Sequence, residues 1–297
     1  DRDEDGLGVA APPADPVGDG FREAQAPRLD VPLEDGLQAG LVDRAAAGLE
    51  DLQLGAVRVD ADHPVAPVQS TMWGVFFEDI NMAADGGIYA ELVKNRSFEF
   101  FNPKTGWKAK TINKDSSAFV ILNGSSISSN PRFARIKVTS ESKSFCLTNY
   151  GFRGMGVKAG NKYDFSLMAS LPGNGSMNLR IEIVDEAGKV LGSSKLTVNG
   201  SDWKNYSTEI TSNGTEAKAQ LNIWFENEGM VDIDMVSLFP QDTWKGRKNG
   251  LRADLVQLLA DLKPGFIRFP GGCIVEGREL NTRYQWKKSV GPVEERQ

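Results

Sequence analysis

The stretch Arg268-Phe269-Pro270-Gly271-Gly272-Cys273 decides how the rest of this chain is interpreted. It closes a short apolar run, residues 266–269, which the pattern predicts to be a β-strand. A strand that ends in Pro-Gly-Gly leaves room for a ligand to approach the backbone, because glycine carries no side chain. In a parallel β/α barrel the substrate binds at the carboxyl ends of the strands. Arg268 and Cys273 are therefore candidates for a binding site and not only for the core.

A helix is predicted directly before this strand. Asn249 can cap it, Pro264-Gly265 ends it, and the leucines between them recur at the spacing of one helical face. These leucines are Leu251, Leu255, Leu258, Leu259 and Leu262. A helix that leads into a strand is typical of α/β folds.

A second strand end lies near residue 78. Residues 72–77, Met-Trp-Gly-Val-Phe-Phe, are apolar enough to be buried on both faces, as the strands of a barrel are. Glu78 follows directly. A carboxylate in that position is either a site residue or a cap on the next segment, and the pattern alone favours neither.

Several blocks of sequence resemble one enzyme family. Residues 74–81, Gly-Val-Phe-Phe-Glu-Asp-Ile-Asn, resemble the opening of the α-L-arabinofuranosidases of glycoside hydrolase family 51, and residues 259–273 resemble a later part of the same enzymes. The remaining blocks are residues 85–91, 95–99, 249–252, 283–288 and 291–296. The resemblance covers roughly residues 57–297 and does not include the first fifty-odd residues.

The resemblance implies a fold of the α/β plus all-β class, namely the N-terminal fragment of a (β/α)8 TIM barrel interrupted by a jelly-roll β-sandwich. Residues 57–101 would hold the first strand of a C-terminal sandwich and the first barrel strand with its loop. Residues 102–240 would form a carbohydrate-binding-like jelly roll, and their short alternating apolar runs between Gly-, Asn- and Ser-rich turns also favour a sandwich. Residues 241–297 would hold a barrel helix, the second barrel strand and the following loop.

Residues 1–56 differ from the rest in composition. They contain 13 acidic residues and four arginines, and the first lysine of the chain is Lys94. Such a composition buries little and repels itself, so we expect an acidic, disordered or non-native leader, with an acidic interaction tail as the alternative. The segment lacks the basic start and apolar run of a signal peptide. The compartment stays open, although an extracellular or periplasmic parent would suit a polysaccharide substrate.

Bulk composition excludes several classes of function. The net charge of −6 argues against nucleic acid and membrane as partners, because both need clustered basic residues. His63 is the only histidine, which argues against a Ser/His/Asp triad and a histidine metal site. Cys146 and Cys273 are the only cysteines and lie far apart, so neither a disulfide framework nor a metal–thiolate site is expected. Chemistry would have to use carboxylates, with no cofactor and no metal.

The family resemblance implies a retaining exo-glycosidase that releases terminal L-arabinofuranose from the side chains of arabinan or arabinoxylan. Retention needs two carboxyl groups about 5 Å apart. In the family both glutamates lie on later barrel strands, and the sequence stops at Gln297 before either. We therefore assign no catalytic residue and expect the isolated chain to be inactive; a non-catalytic carbohydrate-binding fragment is the alternative. The carboxylates that do not match the family pair are Glu276, Glu279, Glu294 and Glu295.

What the resemblance leaves in this chain is part of a substrate pocket. Glu78 falls on a position that accepts hydrogen bonds from sugar hydroxyls, with a loop cap as the alternative. Arg268 falls on a pocket position, with a buried ion pair as the alternative. Cys273 stands where some members carry asparagine, and it can equally be a small buried space-filler. Trp286, beside Tyr284, can line the pocket wall or be purely structural.

The sandwich contributes weaker candidates. Core packing is favoured for each of its aromatic candidates for a sugar platform, which are Trp107, Trp203, Tyr206 and Trp224, although alternation puts Trp224 off the Ile223/Phe225 face. Asp232 and Asp234 can bind a structural calcium, but two acids are too few for a prediction. Expected partners are arabinose-containing polysaccharides or oligosaccharides and, for the full-length protein, a second copy in a homo-oligomer.

Overall fold

The computed structural model describes residues 62, 66, 67, 69–110, 118–124, 129–140, 144–173 and 175–296. The predicted leader, residues 1–56, lies outside the described residues, and so do His63 and residues 57–61, where the first sandwich strand is expected to begin. The elements below all belong to the unit that begins at Pro67. Within the described residues, no helix is long and apolar enough to cross a membrane.

β-Strand is the predominant regular structure in the described chain. The strands are β1 Val75–Phe76, β2 Trp107–Lys110, β3 Ala118–Asn123, β4 Arg132–Val138, β5 Phe145–Asn149, β6 Met155–Val157, β7 Lys162–Ser170, β8 Ser176–Val184, β9 Val190–Asn199, β10 Lys204–Thr211, β11 Glu216–Phe225, β12 Gly229–Pro240 and β13 Ile267–Arg268. The α-helices are α1 Ala253–Asp261 and α2 Cys273–Glu276. Short 3-10 turns occur at Trp244–Gly246, Trp286–Lys288 and Val293–Glu295.

Strands β2 to β12 form two antiparallel sheets around one hydrophobic core. One sheet has five strands in the order β10-β7-β12-β4-β3, and the other has six, in the order β2-β5-β11-β8-β9 with β6 paired to β11. Alternation explains the packing: Phe165 and Leu167 of β7 and Ile223 and Phe225 of β11 belong to one core cluster, and all four are fully buried. The antiparallel β-sandwich expected for this region is therefore present.

Strands β1 and β13 form a separate, parallel two-stranded ladder. Val75 pairs with Ile267 and Phe76 with Arg268. The prediction that residues 72–77 are buried on both faces is wrong, since Met72, Trp73 and Phe76 are exposed, Phe76 at 51%. A ladder of two short strands cannot cover its own faces, and parallel sheets normally need helices on both.

Helix α1 is shorter than the leucine pattern predicts. It begins after Arg252, which occupies the cap position, and Asn249 lies outside it with a φ of 50°. The leucine spacing predicted that a helix is present. Its start is later than predicted because Arg252 forms an isolated β-bridge with Thr243, so the helix begins only after Arg252. The helix ends before Pro264, as predicted.

Candidate site at the strand ends

The register of β1 and β13 brings Glu78 against the Pro-Gly-Gly turn. Beyond the ladder, the Phe77 N–H donates to the Arg268 carbonyl (2.9 Å) and the Asp79 N–H to the Pro270 carbonyl (3.2 Å). A Cβ placed on Gly271 would lie 2.7 Å from both Cα and Cγ of Glu78, and the φ of Gly271 is +133°. Glycine is therefore required at this position for two reasons: its backbone conformation and the close approach of Glu78.

Arg268 lies on the same face of the ladder as Glu78. Paired residues of parallel strands share a face, so Arg268 projects beside Phe76, and Glu78, two residues after Phe76, projects from that face as well. The Arg268 guanidinium carbon lies 4.7 Å from the centre of the Phe76 ring. Phe77 and Phe269 contact each other on the opposite face, with ring centres 5.5 Å apart. Because Arg268 is exposed, the alternative of a buried ion pair is wrong.

Cys273 begins helix α2 directly after the turn. Its thiol is free and exposed, so the alternative of a buried space-filler is wrong. A Cβ on the preceding Gly272 would lie 3.5 Å from Glu78 Oε1. Glu78 and Arg268 follow or end the two paired strands, and Cys273 begins the helix directly after the turn that approaches Glu78. We call these three residues the strand-end site.

Trp286 lies in a later segment that is connected to the strand-end site through helix α2. Its side chain is 69% exposed and its carbonyl accepts a hydrogen bond from the Ser289 hydroxyl at 2.7 Å. Tyr284, two residues earlier, donates its backbone N–H to the Val275 carbonyl of α2 (3.0 Å), which ties this segment to the strand-end site. A role of Trp286 in binding a ligand stays a prediction. The carboxylates Glu276, Glu279, Glu294 and Glu295 are exposed.

The loop after β1 holds polar groups that sequence reasoning did not single out. Asp79 accepts the Ala84 N–H at 3.0 Å, and Asn81 and Met82 both have positive φ, 53° and 61°. Burial raises the pKa of Asp85; Arg96 opposes this shift and the Asp79 charge adds to it. Left-handed non-glycine residues are costly and concentrate at functional loops, but no sequence pattern marks them.

Glu91 joins this loop to the sandwich. The side chain is 2% exposed and accepts hydrogen bonds from the Ser237 hydroxyl (2.6 Å) and from the N–H groups of Leu238 and Val93 (both 2.9 Å). Arg96 lies 3.5 Å away. Burial raises the pKa of Glu91, and these hydrogen bonds and Arg96 act in the opposite direction. Its presence in the matching block 85–91 was the only sequence signal for it.

The sandwich aromatics divide into three groups. Trp107 is buried in the core against Phe98, ring centres 5.5 Å apart, and Tyr206 packs at the edge of the core, so core packing is confirmed for these two. Core packing is wrong for Trp203, which is 41% exposed and meets Phe133 edge-on. Core packing is also wrong for Trp224, which is half-buried on the outer face of its sheet, the side on which alternation puts it. Its ring N–H donates to Glu182 at 2.7 Å.

The two sandwich acids do not form a metal site with a third acid. Both carboxylate oxygens of Asp232 accept hydrogen bonds from Arg135, each at 2.7 Å. Among the described residues there is no group of three or more His, Cys, Asp or Glu side chains that could hold a metal ion. Asp232 therefore serves an ion pair between β12 and β4.

Comparisons with known proteins identify relatives of this chain. A family model described as the alpha-L-arabinofuranosidase 1 domain matches residues 258–297. An extracellular exo-alpha-L-arabinofuranosidase of Streptomyces chartreusis is 38% identical over 277 residues, covering 87% of this chain and 32% of the relative. Alpha-L-arabinofuranosidase 1 of Arabidopsis thaliana is 37% identical, covering 77% of this chain and 35% of the relative.

A solved structure of an arabinose-bound GH51 α-L-arabinofuranosidase superimposes with a TM-score of 0.72 at 30% identity, covering 79% of this chain and 39% of that one. The chain is therefore homologous to glycoside hydrolases. Within that class, the resemblance to the family-51 α-L-arabinofuranosidases is confirmed.

The extent of the match corrects one expectation. A match over 87% of the chain is longer than the stretch from residue 57 to residue 297, so it includes some residues before 57. The expectation that the resemblance stops at the first fifty-odd residues is wrong to that extent. The chain spans about a third of the length of these two curated relatives.

Proposed function

We propose that this chain is the sugar-recognising N-terminal part of an α-L-arabinofuranosidase that releases terminal L-arabinofuranose from arabinan or arabinoxylan. The observation that carries the proposal is that Glu78 and Arg268 share one face at the carboxyl end of a parallel strand pair. In barrel enzymes that end holds the substrate. The homologues named as α-L-arabinofuranosidases support the same chemistry.

The proposal includes the finer fold. In it, β1 and β13 are the first two strands of a (β/α)8 barrel, α1 is a barrel helix, and residues 102–240 are an inserted jelly roll. The parallel register of β1 and β13, against the antiparallel pairing of the rest of the described strands, supports this assignment. Exposure of Phe76, Ile267 and Phe269 supports it too, because barrel strands carry apolar side chains on both faces.

Each strand-end residue has a proposed task. The Glu78 carboxylate accepts hydrogen bonds from two sugar hydroxyls, and the Arg268 guanidinium donates to the sugar from a position fixed against Phe76. Cys273 lines the edge of the same site, and Trp286 offers a ring face to the sugar. We assign binding to these residues and bond cleavage to none of them.

Binding of an aryl α-L-arabinofuranoside to the 297-residue chain, measured by isothermal titration calorimetry, tests the proposal. Glu78→Gln keeps the shape and removes the charge, and we expect it to weaken binding at least about tenfold, since hydrogen bonds to charged groups contribute about 1.5–3 kcal/mol. Glu276→Gln is the matched control. Glu276 is an exposed carboxylate at the end of α2, and we expect its substitution to leave the affinity unchanged.

Equal affinities of the wild type, Glu78→Gln and Glu276→Gln would contradict the strand-end site. Binding of arabinan or arabinoxylan that ignores Glu78 would instead favour the alternative of a carbohydrate-binding fragment. Turnover of the aryl glycoside by the chain would show that a catalytic pair is present and would overturn the assignment of binding alone.

A further inference from the structure

A large groove runs along the junction between the loop after β1 and the sandwich. Its volume is about 960 Å³, at the upper end of the roughly 300–1,000 Å³ of ligand sites in proteins. One wall is the loop from Asn81 to Lys94, the other is the sandwich edge at β6, and residues 252–254 close one side. We call this the sandwich groove. Its size exceeds what a single furanose needs.

The two walls are fixed against each other. Gly86 has a φ of +78°, and a Cβ placed there would lie 2.1 Å from the ring of Phe152, so loop and sandwich edge are in tight contact. The Leu92 N–H donates to the Leu238 carbonyl at 3.1 Å, and buried Glu91 binds the same strand. The groove is therefore built into the fold and needs no rearrangement to form.

The lining of the groove includes residues that follow Glu78 closely in the sequence. Asn81 and Met82 line it, and Asn81 is three residues after Glu78, so their Cα atoms are at most about 11 Å apart. Both lining residues have left-handed backbones, φ 53° and 61°, which for non-glycine residues costs on the order of 1–3 kcal/mol. A ligand anchored at Glu78 can thus continue into the groove.

The charge of the groove favours a neutral ligand. The basic lining residues are Lys94, Arg153, Lys158 and Arg252, and the acidic ones are Glu91, Glu216, Asp242 and Asp254. The two signs balance, and Arg252 and Asp254 form an ion pair at 2.5 Å. An anionic polymer would need clustered basic residues. Carboxylates, lysines, the Asn161 amide and the rings of Tyr89 and Phe152 suit the hydroxyls and apolar faces of a sugar chain.

We propose that the sandwich groove binds the neutral main chain of the polysaccharide whose arabinofuranose side group occupies the strand-end site. The inserted sandwich then forms one wall of the substrate cleft. This inference rests on the proposed function for the identity of the sugar, and the groove is tested separately from it.

Gly156 offers a direct test. It lies on β6, lines the groove and is exposed, its φ is not in the left-handed range, and a Cβ there meets nothing within 4 Å. Gly156→Trp therefore fills the groove without displacing the backbone. Gly173 is likewise exposed and open but does not line the groove, so Gly173→Trp is the matched control. Circular dichroism verifies that both variants fold.

The probes are linear arabinobiose, arabinohexaose and xylohexaose, titrated calorimetrically into the 297-residue chain. We expect a hexaose to bind at least tenfold more tightly than the biose, Gly156→Trp to abolish that gain, and Gly173→Trp to keep it. Which hexaose shows the gain distinguishes an arabinan main chain from a xylan one. If Gly156→Trp fails to fold, Asp242→Ala in the groove, with exposed Asp202→Ala as control, is expected to reduce the gain at least threefold.

Three results would overturn the proposal that the groove binds the main chain: no binding of either hexaose, no gain in affinity of a hexaose over the biose, or the same gain in affinity in Gly156→Trp and Gly173→Trp. Failure of the proposed function looks different. In that case Glu78→Gln leaves biose binding unchanged while Gly156→Trp still removes the hexaose gain.

Discussion

In the sandwich, the core-facing apolar side chains of β7, β8 and β11, among them Phe165, Leu179 and Ile223, are buried, whereas in the β1–β13 ladder Phe76, Ile267 and Phe269 are more than half exposed. The sandwich has eleven strands in two antiparallel sheets, and the ladder has two strands of two residues each. The sandwich therefore supplies most of the buried core, and the polar groups that we propose to bind a sugar lie at the end of the ladder. The proposed site thus lies in the part of the structure that buries the least apolar surface.

Phe225→Ala probes the sandwich side of this contrast. Phe225 is fully buried against Phe145, and truncating such a ring costs about 3–5 kcal/mol through lost burial and the cavity left behind. Urea unfolding followed by far-ultraviolet circular dichroism measures the loss. A loss below about 1 kcal/mol would show that the two sheets do not share the packed core described above.

Asp234→Asn tests whether the sandwich also controls the response to pH. Burial raises the pKa of Asp234 to about 7, with the Glu99 charge adding to the shift and the Met235 N–H opposing it. The folded state thus favours protonated Asp234, and stability falls as pH rises from about 4 to 7. Asparagine removes that cost. We therefore expect the stability advantage of the variant over the wild type, as free energy of unfolding, to be about 2 kcal/mol larger at pH 8 than at pH 5.

Urea unfolding of both proteins at the two pH values measures this difference. The Asn side chain keeps an oxygen for the Met235 N–H, so the hydrogen bond itself is not under test. A gain that is the same at pH 5 and pH 8 would contradict a raised pKa at this position.

Gly271→Ala sharpens the ladder side. The new methyl group would lie 2.7 Å from Glu78 Cα at a φ of +133°, so Glu78 must shift. We expect sugar binding, measured by calorimetry with the aryl arabinofuranoside, to weaken at least tenfold, or about 1.4 kcal/mol. Gly272→Ala is the control, because its new methyl group would lie 3.5 Å from Glu78 Oε1, an ordinary van der Waals distance that does not force Glu78 to move. Comparable losses in both variants would show that Glu78 does not depend on the close approach of Gly271.

Phe269→Ala gives the smallest change. Phe269 is 61% exposed and contacts Phe77 across the ladder, so its truncation removes little burial. We expect a loss of free energy of unfolding below about 1 kcal/mol, measured under the conditions used for Phe225→Ala. A loss as large as that of Phe225→Ala would remove the contrast between the two regions.

Sequence reasoning predicted the sandwich well because alternation has a period of two and marks one face of each strand. The burial of β7 alternates from Lys162 to Ala169, and β11 alternates in part, with Asn222 buried on the face opposite the core. It also proposed Glu78, Arg268 and Cys273 as binding residues, because each follows or ends an apolar run, and this role stays a prediction. It missed the exposure of residues 72–77, because apolar composition reports what a strand can bury and not whether a neighbour covers it. It also missed Glu91 as the link between loop and sandwich, since its partners Ser237 and Leu238 lie more than 140 residues away.

Local patterns in the chain were enough to set strand alternation, the breaks at Pro264-Gly265 and Pro270-Gly271-Gly272, and the family resemblance, because these depend on neighbouring residues. Tertiary packing alone decided which residues meet: the parallel register that puts Glu78 and Arg268 on one face, the approach of Gly271 to Glu78, and the groove between loop and sandwich. The physical reason is that contacts between distant segments form only when buried surface and hydrogen bonds offset the entropy of bringing them together. No local pattern records that balance.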